Sequence, residues 1–88
     1  MYLHLGNDSA VPLTSVIGIF DLDRTSQSAK TRAFLTRAQK EGLIKTVNDE
    51  LPSSFVLCQK DGKTSIYLSQ ISSLTLGKRF FNIQFRSS

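Results

Sequence analysis

Cysteine occurs once, at Cys58, and histidine once, at His4. A single thiol excludes an internal disulfide framework and a cysteine-based zinc site, since both need partners. The five glycines are scattered singly, so no glycine-rich phosphate loop is present. The longest apolar run, Val16 to Phe20, is far short of the ~20 residues that span a bilayer. The opening stretch MYLHLGNDS has no cationic region, long apolar region or cleavage site, so neither a signal peptide nor a membrane partner is expected. These absences suit a cytoplasmic protein.

What is present fits one small domain spanning residues 1–88, without internal repeat or linker. A chain of this size buries only ~60–65% of its unfolded surface, so one modest core or an oligomer is expected. The net charge is +4, unevenly distributed. Residues 1–23 carry −3, residues 24–45 carry +5, and the remainder carries +2. Concentrated positive charge makes a polyanionic partner plausible, although solvated helices often carry such charge.

Hydrophobic periodicity gives the coarse organisation. Tyr2 to Leu5 reads as a short strand closed by Gly6-Asn7-Asp8-Ser9, with Val11 to Leu13 a second short strand bent at Pro12. Val16 to Leu22 is the strongest strand. Residues 26–41 read as a helix, with Phe34, Leu35 and Ala38 on one face, Thr25 or Ser26 as N-cap and Gly42 as the stop. Leu43 and Ile44 then reach the core, and 48–54 is a polar loop. Phe55 to Gln59 and Thr64 to Ser69 flank an Asp61-Gly62 hairpin turn. Ser72 to Arg79 reads as a short helix capped by Ser72 or Ser73. Phe81, Ile83 and Phe85 then alternate with polar residues like a final half-buried strand. The expected fold class is α+β: a small, largely antiparallel sheet, one main helix at about 26–41 and a short helix at about 72–79.

Asp21-Leu22-Asp23, at the end of an apolar strand and followed by Thr25, resembles the strand-end signature of haloacid dehalogenase-type phosphatases. There, the first Asp is the nucleophile and the second the general acid/base. That chemistry also needs a glycine where Arg24 stands, a Lys, and a second acidic pair for Mg²⁺ on a large parallel sheet. Asp49-Glu50 lies in a polar loop, and no strand–helix repetition builds such a sheet. The two carboxylates read instead as groups on the same side of the strand, favouring the positive end of the next helix. His4 has no identifiable nucleophilic partner, and Cys58 reads as a small core residue. No catalytic residue, enzymatic activity, metal or cofactor is expected.

Taken in order, MYLHLGND, VPLTSVIGIFDLD, TRAFL and SFVLC…IYLSQISSLTLGKR resemble the extracellular matrix regulator RemB (YaaB-like) family of Firmicutes, and more distantly its sister RemA family. The resemblance runs from Met1 to about Arg79 and is most specific at 1–5, 16–23 and 66–79. It implies a small, non-enzymatic cytoplasmic regulator of matrix or biofilm genes. In the RemA relatives it further implies ring-like homo-oligomers that bind double-stranded DNA. Those relatives carry an Arg before the second strand and an Arg pair before the later hairpin. Here Ser15 and about Leu51-Pro52-Ser53 occupy those places, so those DNA contacts do not carry over.

Any DNA contact must then use other cations. Lys30, Arg32, Arg37 and Lys40 fall on the helix arc opposite Phe34, Leu35 and Ala38, and Lys78-Arg79 form a second candidate set. With no residues placed for base readout, backbone and shape recognition are expected. The competing reading is a solvated amphipathic helix. Residues 80–88 are an apolar tail beyond the resemblance. Phe80, Phe81, Ile83 and Phe85 either pack into the chain's own core or cover a subunit boundary. Two functions follow: a homo-oligomeric DNA-binding transcription regulator, or an oligomeric interaction protein that partners another regulator without touching DNA.

Overall fold

Alternating apolar side chains begin the fold. The computed structural model of the chain describes residues 1–25 and 27–85, with the side chain of residue 85 excepted. Strand β1 (Tyr2–Gly6) turns Leu3 and Leu5 inward and Tyr2 and His4 outward. It pairs antiparallel with β2 (Ser9–Pro12) through a turn in which Gly6 and Asn7 have φ of 123° and 47°. A 3₁₀ turn, Leu13–Ser15, takes the place of the third residue expected in the second strand. The chain then enters β3 (Val16–Asp21).

Strand β3 pairs antiparallel with β5 (Ser54–Lys60), and β5 with β6 (Lys63–Ser69). Strand β4 (Ile44–Thr46) adds to β6 in parallel, so the larger sheet has the order β3-β5-β6-β4. The β5–β6 turn is the expected one. Asp61 and Gly62 have φ of 53° and 77°, the double left-handed geometry of a two-residue hairpin loop. The α+β, mostly antiparallel architecture is therefore as the sequence implied.

The helix expected at 26–41 forms over 29–40, and a separate helical turn precedes it where the strand was expected to end. Helix α1 (Leu22–Thr25) is a single turn, and α2 (Ala29–Lys40) follows. Asp21 is the reason. Its Oδ1 accepts from the Arg24 N–H at 3.1 Å, and Thr25 Oγ1 donates to the Asp21 carbonyl at 2.6 Å. Thr25 thus ends a first turn instead of capping a second, and Ser28 caps α2 by accepting from Thr31 N–H at 3.4 Å. Ser26, the other expected cap, lies outside the described residues. Because Leu22 begins a helix, Asp21 and Asp23 do not share one side of a strand. Gly42, at φ 74°, stops α2 as expected.

The second correction concerns the C-terminal segment. Helix α3 (Ser73–Phe85) continues through the residues expected as a final strand. Ser72 caps it, accepting from Thr75 N–H at 3.1 Å. Leu76, Phe80 and Ile83 recur at helical spacing and reach one core cluster, so the packing chooses a helical phase over the alternation at 81, 83 and 85.

The larger sheet is covered on both faces. On one, Phe55 and Ile66 meet Ala38 and Leu35 of α2, with Phe20 stacked on Phe55 at 4.9 Å. On the other, Val56 and Cys58 meet Leu3, Leu5, Val11 and Leu13 of the small hairpin, and Leu76 of α3. No helix among the described residues is long and apolar enough to cross a membrane.

Candidate functional site

The sheet separates the two expected groups of cations. Helix α2, with Lys30, Arg32, Arg37 and Lys40, packs on one face, whereas α3, with Lys78 and Arg79, packs on the other. All six side chains are exposed, but the fold does not bring them into one patch.

On α2, Ala38 is buried while Thr31 and Leu35 are half-buried, which fixes the inward face. Phe34, expected to share that face, is 43% exposed at its margin. At about 100° per residue, the outermost ridge is Ala29, Ala33 and Thr36 with Lys40. Arg32 flanks this ridge on one side, Lys30 and Arg37 on the other. Small residues between cations let a helix approach a polyanion closely. Arg32 also donates to the Gln27 carbonyl at 2.9 Å. Arg37 is different, because its Nε lies 3.0 Å from Glu41 Oε2 and its positive charge is shared. That exposed pair stabilises little, but it lowers the net charge offered at this end of the helix.

On α3, Arg79 reaches back to the His4 carbonyl at 3.5 Å, a long contact that ties the helix to the small hairpin. Lys78 instead borders a shallow groove with Leu74, Gly77, Phe81 and Asn82. The apolar tail divides accordingly. Phe80 and Ile83 pack against the chain's own core, whereas Phe81 and Leu74 are 60% and 68% exposed. The side chain of Phe85 lies outside the described residues.

The cations outside both candidate sets include Lys45, Lys60 and Lys63. Lys60 and Lys63 are directly opposed at the end of the β5–β6 hairpin. Lys45 Nζ lies 5.7 Å from the Tyr67 ring centre, within cation–π range. Lys60 and Lys63 were legible as a pair, since a two-residue Asp-Gly loop necessarily pairs the residues flanking it. Lys45 was not, because its register on β6 depends on a parallel strand only the tertiary fold defines.

Ser15 and Leu51, at the places where the distant relatives carry arginines, differ in kind. Ser15 is buried, its hydroxyl donating to the Pro12 carbonyl at 2.7 Å, while Leu51 is 90% exposed. Cys58 is buried, and burial pushes its thiol pKa up against a smaller lowering effect of Ser15. Among the described residues, no three His, Cys, Asp or Glu side chains gather as a metal-holding group. Asp21 is committed to helix capping.

No family model matches the chain. A curated relative, "Extracellular matrix regulatory protein B" from Bacillus subtilis (strain 168), is 38% identical over 79 residues, covering 90% of this chain and 89% of the relative.

Proposed function

The chain belongs to the extracellular matrix regulatory protein B family, and from that premise we propose that it is a cytoplasmic, homo-oligomeric DNA-binding regulator of transcription. Its targets in this reading are extracellular matrix or biofilm genes. The carrying observation is α2: an exposed helix whose small-residue ridge is flanked by Lys30, Arg32, Arg37 and Lys40. Such a surface addresses duplex phosphates without reading bases. Repeated around an oligomer, a modest charge per subunit adds along the duplex. Lys78 and Arg79, on the far side of the sheet, contribute only if the oligomer wraps DNA past both faces. No catalytic step belongs to this function, and it needs no cofactor.

Oligomer formation is proposed to use the outward strip of α3, Leu74 and Phe81 on either side of Gly77. A methyl group added at Gly77 would meet nothing within 4 Å, so the strip is open to close helix approach. Phe80 and Ile83 support the strip from within.

The test is fluorescence-detected binding to a duplex of ~30 base pairs across a salt series, with light scattering for mass. Log-linear weakening with salt in an assembly larger than a dimer supports the reading. In that case, Lys30→Gln with Arg32→Gln reduces the slope by ~0.9 per lost phosphate contact. An intact oligomer with no duplex binding at ~50 mM salt overturns it. The second reading, an oligomeric interaction protein partnering another regulator, would then lead. It is favoured by the exposed Leu51, Leu74 and Phe81.

A further inference from the structure

On the sheet face opposite α2, the 3₁₀ turn and the small hairpin leave part of β5 and β6 uncovered. The result is a groove of about 410 Å³, lined by Val11, Pro12, Ser15, Cys58, Lys60, Asp61, Lys63, Ser65 and Tyr67. We propose that this groove binds a phosphorylated small molecule of nucleotide size, with its phosphate between Lys60 and Lys63.

The charge arrangement is the first argument. Lys60 and Lys63 face each other across the hairpin, where like charges repel. Neither makes an ion pair among the described residues. Asp61 lines the same groove and offsets part of this charge, which leaves the lining net positive, and Lys45 lies nearby over the Tyr67 ring. An anion bridging the two ammonium groups offsets that repulsion.

The lining gives the second argument. Moving inward from the lysines, Ser65 and Tyr67 follow on the same side of β6, since alternate residues share a face. Their hydroxyls make no hydrogen bond among the described residues and remain available to a ligand. Val11 and Pro12 form an apolar wall opposite. Cations at one end, hydroxyls in the middle and an apolar wall suit a phosphate ester with a flat organic group. The volume falls in the usual range of about 300–1,000 Å³ for small-molecule sites.

The site is separate from the proposed DNA face, so the two stand or fall independently. The probe is fluorescein-labelled AMP at low salt, followed by anisotropy and displaced by AMP or by adenosine. The expected result is saturable binding that AMP displaces and adenosine does not. Lys60→Gln with Lys63→Gln should weaken it about tenfold or more, whereas Lys30→Gln with Lys40→Gln should leave it unchanged. The first pair removes a repulsion, so the fold should survive, as circular dichroism would check. No saturable binding, equal displacement by adenosine, or wild-type binding by the Lys60/Lys63 variant each overturns the proposal. So does loss of duplex binding in that variant equal to that of the α2 variant, since the lysines would then be part of a DNA surface. Labelled AMP bound in the groove without any duplex binding would retain this site and remove only the DNA function.

Discussion

The Ser69 hydroxyl donates a 2.6 Å hydrogen bond to the Leu5 carbonyl, joining the end of β6 to the small hairpin across 64 positions of sequence. The same oxygen accepts from Ile71 N–H at 3.0 Å, and neighbouring Ser54 donates to the Ile71 carbonyl at 2.7 Å. Both serines are fully buried. This corner fixes the two sheets to each other and sets the direction in which α3 departs. Ser69→Ala should cost about 2–3 kcal/mol, because it leaves a carbonyl and an N–H without partners in a buried place. Urea denaturation should show a lower midpoint with an unchanged slope.

Arg37 and Lys40 should not be equivalent on DNA. Arg37 already shares its charge with Glu41, so Arg37→Gln should weaken duplex binding less than Lys40→Gln. Glu41→Gln should strengthen it. The comparison is one of duplex affinity at a single low salt concentration, where screening is least.

The C-terminal aromatics should separate into two classes. Phe80→Ala should lower stability by about 2 kcal/mol or more through lost core packing. Phe81→Glu, at a 60% exposed position, should leave stability nearly unchanged while reducing the light-scattering mass of the oligomer. An unchanged mass would move the subunit contact elsewhere.

Asp21→Ala should cost about 0.5–2 kcal/mol, the usual loss for a helix cap. The salt dependence of duplex binding should be unaffected, because the residue faces the turn of α1 and not the proposed DNA surface. Thermal or urea unfolding, run beside the salt series, checks both halves.

The Cys58 thiol should react slowly with iodoacetamide at neutral pH and remain slow above the ordinary thiol range. Burial raises its pKa in the folded chain, with Ser15 acting weakly the other way. The folded state therefore keeps a proton that the unfolded state has lost. Its contribution to stability is fully present below the unfolded thiol pKa and is lost as pH rises through the raised folded value. Cys58→Ala should remove that part of the alkaline decline in unfolding free energy.

Much of this protein is decided locally. Alternation in residues 2–5 builds a strand because every second side chain must leave water, and the unbroken apolar run 55–58 builds one that is buried on both faces. Asp61-Gly62 builds a hairpin because both residues tolerate positive φ. Gly42 ends α2 for the same reason. These are short-range constraints, and the sequence states them together with the charge concentrated at 24–45. Other features depended on partners distant in the chain. Residues 81–85 satisfy a strand's alternation and a helix's stripe equally well. The core that receives Leu76, Phe80 and Ile83 settles the matter in favour of the helix. Asp21 and Asp23 read as carboxylates on one side of a strand until Asp21 was seen to accept from Arg24 N–H in a helical turn that begins at Leu22. Which cations share a surface was likewise a tertiary outcome. A sheet with helices on opposite faces separates Lys40 from Lys78, whereas its parallel and antiparallel registers bring Lys45, Lys60 and Lys63 to one side. Periodicity tells a side chain which way to face. What it faces depends on burial among segments that only the folded chain brings together.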